Sequence, residues 1–220
     1  MTDPSPTDDD KPRRRARART TARDGDAVER ILTAAEHCFR EAGYSGVTVR
    51  EIAVRAGVSK SLVLYHFESK DHVLAELQLR IYRRLARSVT DAVASRGGTA
   101  AERANVGLDA LMQTVRAGND LAAHAMLGAS ALSNPSVVPY VRRMRRELKT
   151  LLHHTMADIF AGETERLPLP LEQAGDLLWA ALTGLGLQAV IDESPEELER
   201  GFESLRTIVA LAFASEGGQK

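Results

Sequence analysis

Thr48-Val49-Arg50-Glu51-Ile52-Ala53-Val54-Arg55-Ala56-Gly57-Val58-Ser59-Lys60-Ser61-Leu62-Val63-Leu64-Tyr65-His66-Phe67 is the stretch that decides the fold. Thr48 and Glu51 stand at capping-box spacing, where each satisfies a free backbone donor of the other. Ile52, Ala53 and Ala56 then share one helical face, and Gly57 stands where a left-handed residue ends a helix. Ser59 can cap a second short helix running to about Phe67. Ile52, Ala53, Val58, Val63 and Phe67 are assigned to the core between the two. The layout is a helix-turn-helix, a short capped helix and a tight turn from which a second helix projects. Ser59, Lys60 and Ser61 keep the start of that helix small or polar, narrow enough for a DNA major groove about 12 Å wide.

Working upstream, Asp26 can cap a helix with Glu29 three residues on. Val28, Ile31, Leu32, Ala35 and Phe39 follow helical spacing up to Ala42-Gly43, and Gly46 marks a turn. Downstream, Ser69 can cap a long helix with the stripe Val73, Leu74, Leu77, Ile81, Leu85 and Val89. Further helices are expected over 101–117, 120–132, 136–161, 171–192 and 195–215. They are separated at Gly97-Gly98, Gly118-Asn119, Asn134-Pro135, Leu167-Pro168-Leu169-Pro170 and Ser194-Pro195. No run alternates with period two long enough to read as a strand. The expected class is all-α: a disordered basic arm over 1–23, a three-helix DNA-binding domain over 24–70, and a larger helical ligand-binding and dimerisation domain over 71–220.

Composition agrees. Hydrophobic residues make up 44% of the 220 positions and aromatics 5%, a mixture that suits helices better than sheets. No segment has the roughly 18 uninterrupted apolar residues of a membrane span. The Asp- and Arg-rich start has no apolar core of a secretory signal. A single cysteine, Cys38, excludes an internal disulfide and a cysteine-based zinc cluster. A cytoplasmic protein with no membrane partner, metal or cofactor is expected. The net charge of -1 hides a gradient. Residues 11–23 hold Lys11, Arg13, Arg14, Arg15, Arg17, Arg19 and Arg23 with no acid, while residues 71–220 carry 16 basic and 19 acidic side chains. Such asymmetry describes a basic arm on a body with another task. The arm either follows phosphates and the minor groove or stays a solvated tail beside Asp8-Asp9-Asp10.

The run Gly43-Tyr44-Ser45-Gly46-Val47-Thr48 through Glu51-Ile52-Ala53, Ala56-Gly57-Val58-Ser59 and Leu62-Val63-Leu64-Tyr65-His66-Phe67-Glu68-Ser69-Lys70 resembles the DNA-binding domain of the TetR/AcrR family of transcription regulators. The resemblance covers about residues 26–74 without a gap. It implies phosphate contacts from the hydroxyls of Thr48 and Tyr65. It implies that Arg50 reaches a base edge or a phosphate, and that Ser59, Lys60, Ser61 and Leu62 open the reading helix, with Lys60 able to pair with guanine. His66 and Lys70 match phosphate-facing positions. Leu64 departs from the aromatic or polar-tipped residue common in the family; it either meets a thymine methyl or packs.

A helix-turn-helix reads only a few base pairs, so a homodimer on a pseudo-palindromic operator in double-stranded DNA is expected. The family's usual interface implies a dimer surface in helices 171–192 and 195–215. The apolar Leu177, Leu178, Ala181, Leu182, Leu185 and Ala189 suit it, Gly184 and Gly186 would admit a neighbouring backbone, and Phe202, Leu205, Ile208, Val209 and Ala212 repeat at helical spacing. A small-molecule effector of unknown identity is expected between the middle helices, lined by Leu108, Leu111, Met112, Val115, His124, Met126, Val141, Met144, Trp179 and Leu187. Arg142, Arg143, Arg145, Arg146 and Lys149 form a solvated face or, alternatively, an acidic-ligand site. Helix 71–93 would link the two functions by shifting populations. The expected function is a repressor released from its operator by the effector. The alternatives are an effector-independent DNA-binding regulator or an activator, and more remotely an all-α enzyme. Against the enzyme, there is no His-Glu-x-x-His, no Gly-x-Ser-x-Gly and no phosphate-binding loop; adjacent His153 and His154 point to different helix faces.

Overall fold

The computed structural model describes residues 11–117, 120–192 and 194–214; for residues 11–23, 114–115, 117, 120–122, 190, 195 and 214 it describes the backbone alone. These residues form helices joined by turns, with no strand among them. The chain divides into two compact units, residues 1–73 and 74–220.

In the first unit, α1 (Lys11–Ala42), α2 (Val49–Ala56) and α3 (Lys60–His66) precede α4 (Lys70–Arg96), which begins here and continues in the second unit. Order does not begin near Asp26. α1 already runs from Lys11, which corrects the expectation of disorder for residues 11–23; residues 1–10 lie outside the described set. Lack of apolar periodicity had implied disorder. Arg and Ala, however, are among the best intrinsic helix formers, and Pro12 stands in the first turn, where a missing N–H costs nothing. α1 ends at Gly43, which takes the left-handed conformation (φ 65°) and donates its N–H to the Phe39 carbonyl at 3.0 Å. At Gly46 a Cβ would come within 2.5 Å of the Ala42 carbonyl oxygen, so the α1–α2 turn needs glycine there. Ala27, Ile31, Leu32, Ala34, Ala35 and Cys38 of α1 are buried, as are Ile52, Ala53, Ala56, Val63 and Phe67 of the expected core, while Val58 is half-buried. Burial raises the Cys38 thiol above its ordinary value.

The second unit holds the rest of α4, then α5 (Ala100–Ala117), α6 (Asp120–Ser133), α7 (Val138–Ile159), α8 (Leu171–Ile191) and α9 (Pro195–Ala214). Gly97 (φ 61°) and Gly98 (φ 95°) turn the chain into α5, which starts on a second capping box, Thr99 with Glu102. A single 3₁₀ turn over Pro135–Val137, capped by the Asn134 side chain, precedes α7. α8 packs against α6, α7 and α9, and α5 against α7 and α9. One buried cluster joins Val89, Val93, Ala100, Ala104, Met156, Ile159 and Phe160; another joins Leu108, Met112, Leu182, Leu198 and Phe202. Arg103 ties α5 to the end of α7, donating from Nε to the Ile159 carbonyl (2.6 Å) and from Nη2 to that of Ala161 (3.0 Å). A close helix approach lies at Gly201, where a Cβ would strike the Leu185 side chain at 2.5 Å; a Cβ on Gly184 would meet nothing within 4 Å.

Candidate nucleic-acid interface and ligand cavity

The helix-turn-helix is built by its caps. Thr48 accepts from the Glu51 N–H at 3.3 Å, and its own N–H and hydroxyl donate to Glu51 Oε2 at 2.7 and 2.8 Å. Those bonds hold the exposed Glu51 carboxyl below its ordinary value. They also commit the Thr48 hydroxyl proton, so a phosphate at this position must compete with Glu51. Gly57 (φ 63°, ψ 39°) closes α2 in the left-handed conformation, its N–H reaching the carbonyls of Ala53 and Val54. Arg30 of α1 holds the same end: its Nη2 donates to the carbonyls of Ala56 and Gly57, both at 2.8 Å. A guanidinium suits a helix C-terminus, where unsatisfied carbonyls leave partial negative charge. Helical periodicity could not reveal this contact, because Arg30 lies on the polar side of α1's pattern and 26 residues from Ala56.

Ser59 caps α3 by accepting from the Leu62 N–H at 3.1 Å. Val63 and Phe67 anchor α3 from below. The opposite face carries Lys60, Ser61, Leu64 and Tyr65, all exposed, with Tyr65 at 76%. Leu62 is half-buried, as is His66, which lies edge-on to Tyr65 at 5.0 Å. Arg50 is exposed on the first turn of α2. Lys70 is placed differently from the others. It is half-buried, its Nζ donates to the Tyr44 carbonyl at 2.8 Å and lies 4.2 Å from the centroid of the Tyr44 ring. Tyr44 in turn donates its hydroxyl to Asp71. Thr48, Arg50, Ser59, Lys60, Ser61 and Tyr65 therefore lie exposed along α2 and α3, whereas Lys70 is engaged with the loop before α2.

The second unit encloses a cavity of about 490 Å³ walled by α4, α5, α7, α8, α9 and the loop before α8. Of the ten side chains expected around a ligand, Leu108, Leu111 and Trp179 line it. Met112 is buried beside it in the Leu182–Phe202 cluster; Val141 and Met144 are buried elsewhere in the core. Met126 and Leu187 are exposed, and the Val115 side chain lies outside the described residues. His124 is buried, its ring edge-on to those of Tyr82 and Trp179. The walls that the sequence did not place around a ligand come from Leu85 and Val89 of α4, Met156 of α7 and Phe160 just after it, and Val209 and Phe213 of α9. A regular apolar stripe shows that a helix face is buried, but not which gap between helices stays wide. Among the described residues no group of three or more His, Cys, Asp or Glu is placed to hold a metal ion, and no helix is long and apolar enough to cross a membrane.

Residues 31–77 match the family of "Bacterial regulatory proteins, tetR family". The chain is 34% identical over 71 residues to the HTH-type transcriptional repressor AcnR of Corynebacterium jeikeium, a match covering 31% of this chain and 38% of AcnR. It is 28% identical over 130 residues to the HTH-type transcriptional repressor KstR of Mycolicibacterium smegmatis, covering 59% of this chain and 63% of KstR. The match therefore spans less than two thirds of either relative. The crystal structure of a transcriptional regulator from Rhodococcus sp. Rha1 superimposes with a TM-score of 0.61 at 26% identity, covering 84% of this chain and 96% of that one.

Proposed function

We propose that the chain, whose residues 31–77 match the TetR family of bacterial regulatory proteins, is a dimeric, sequence-specific repressor released from a pseudo-palindromic operator by an apolar small molecule. The observation that carries this reading is the face of α3. A helix of seven residues, capped at Ser59 and anchored by Val63 and Phe67, presents Lys60, Ser61, Leu64 and Tyr65 outward. A buried underside with an exposed, hydroxyl- and amine-bearing upper side is what insertion into a major groove requires. The name repressor is taken from AcnR and KstR. In this reading Lys60 reads bases, Tyr65, Thr48 and Arg50 contact phosphates or base edges, and Lys11 to Arg23 add cations ahead of the DNA-binding core.

The dimer reading is supported by Leu177 and Ile191 of α8 and Ile208 and Leu211 of α9, large apolar side chains left exposed on two neighbouring helices. The effector reading is supported by the 490 Å³ cavity, within the size range of small-molecule sites. An effector that prefers one conformation of the second unit changes the DNA affinity of the dimer by that preference alone.

The test is selection from a random duplex library with the purified chain, followed by a salt series on the enriched sequence. Enrichment of an inverted repeat with steep loss of affinity in salt is expected. Binding that ignores sequence overturns the reading. Sedimentation of Leu177→Lys/Ile208→Lys should show monomers that bind one half-site weakly.

A further inference from the structure

The cavity wall is unequally covered. The parts that α4, α5 and α7 supply, Val89, Leu108 and Met156 among them, are all buried or half-buried. The exposed wall residues are Pro168, Leu169, Leu177, Ala181 and Ile208, which come from the loop before α8, from α8 itself and from α9. Leu177 is 59% exposed and Ile208 60%. A side chain that both lines a cavity and meets water stands at its mouth, so the cavity opens on the α8–α9 side.

That mouth borders a face which the chain leaves bare. Leu177, Ala180, Gly184, Leu187 and Ile191 of α8 are all exposed. They recur at alternating steps of three and four residues, the spacing at which one helix seats against another. α8 has no charged residue between Leu177 and Ile191. Ala180 and Gly184 keep the middle of the stripe low, and a Cβ on Gly184 would meet nothing within 4 Å, so the room that a neighbouring helix needs is open. Ile208 and Leu211 extend the apolar surface onto α9, which packs beside α8. Leu177 and Ile208 therefore belong both to this face and to the mouth of the cavity.

An apolar molecule in an open-mouthed cavity keeps part of its surface in water, whereas small-molecule sites commonly bury most of it. The occupant that fits the bare face is a second copy of this chain, because the same patch on two copies meets about a two-fold axis. Resting on the dimer and effector readings above, we propose that the partner copy completes the effector site. Its α8 and α9 cover the mouth framed by Leu177 and Ile208, so effector binding and dimerisation strengthen each other. The coupling is reciprocal: whatever factor the dimer adds to effector affinity, each bound effector adds to the dimer. Covering about 60 Å² of apolar ligand surface is worth about tenfold in affinity.

The probe is N-phenyl-1-naphthylamine, an uncharged dye that brightens on leaving water, titrated into the full chain and into Ile191→Lys/Leu211→Lys. Both substituted residues are exposed on α8 and α9 and neither lines the cavity, so the variant removes the partner and spares the pocket. Sedimentation should show the variant as a monomer, and it should bind the probe about tenfold more weakly. In the unmodified chain the dimer dissociation constant should fall about tenfold for each probe bound. Equal probe affinity in monomer and dimer, with a dimer constant that ignores the probe, overturns the shared site and leaves the effector and dimer readings standing. Tighter binding by the monomer puts the probe on the bare face itself and overturns the shared site equally. A variant that stays dimeric moves the interface elsewhere, and sinks the dimer reading and the shared site together. A chain that binds no probe sinks the effector reading, and the shared site with it.

Discussion

Lys70 is bound to Tyr44: its ammonium donates to the Tyr44 carbonyl at 2.8 Å and sits 4.2 Å from the centre of the same residue's ring. Tyr44 precedes α2, and Lys70 opens α4, so this contact closes the helix-turn-helix from both ends. A lysine that resemblance assigns to a phosphate is thus also a strut of the protein. Lys70→Met should lower stability by about 1 kcal/mol, the scale of a partly buried cation–π contact with a hydrogen bond. Chemical denaturation in the absence of DNA measures it. A pure phosphate contact would leave stability unchanged and only reduce the salt slope of binding by about one.

Arg30 sustains the turn through its bonds to the Ala56 and Gly57 carbonyls. Arg30→Met keeps the aliphatic stem and removes the cap, so about 1–2 kcal/mol of stability should go with it. Because α3 then departs from a looser turn, DNA affinity should fall for every sequence alike. A change in sequence preference, read by repeating the library selection, would contradict a positioning role.

Lys60 and Tyr65 should separate by kind of contact. Lys60→Ala is expected to cost about 1–3 kcal/mol on the enriched operator and to relax preference at one base position. Tyr65→Phe removes a hydroxyl from an exposed ring, and should weaken binding uniformly with the base preferences retained. Both substitutions are on exposed positions, so melting temperatures should stay within a degree or two, about the scale of neutral surface changes.

His124 gives the second unit a pH dependence. Burial, and after it the charge of Arg145, holds its imidazole down to about 4, against an ordinary value near 6.5. Between those two values the unfolded chain takes up a proton that the folded chain refuses. Stability is therefore lost as pH falls from about 6.5 to about 4, by up to about 3 kcal/mol. The exposed carboxyls of Glu51 and Glu102, both held low by capping threonines, add their own loss at the acid end. Comparing thermal melts of the chain and of His124→Phe isolates the histidine. The variant should lose less stability across the window and run parallel to the parent above about pH 7. Equal slopes throughout would mean that the imidazole titrates normally.

The helix-turn-helix was legible residue by residue because its signals are local. A capping box spans four positions, a left-handed glycine declares itself, and the 3.6-residue period separates Val63 and Phe67 from Lys60, Ser61 and Tyr65. The helix boundaries after residue 97 were legible for the same reason, since glycine and proline stop helices wherever they stand. The start of α1 was not legible in the same way: residues 11–23 carry no apolar spacing, while the helix propensity of arginine and alanine acts without any.

What the sequence determined by itself is therefore everything that depends on neighbours a few residues apart: an all-helical chain, the capped reading helix, and the exposed face that helix presents. Tertiary structure alone decided the rest. It took Lys70 to Tyr44 across 26 positions, set Arg30 on the end of α2, and opened the cavity among Leu85, Met156 and Phe213 rather than around Met126 or Leu187. The physical reason is that a period specifies which side of a helix is buried, whereas a partner or a gap is a property of how several buried sides meet. Gly201 against Leu185 and His124 against Tyr82 and Trp179 exist only once that meeting has occurred.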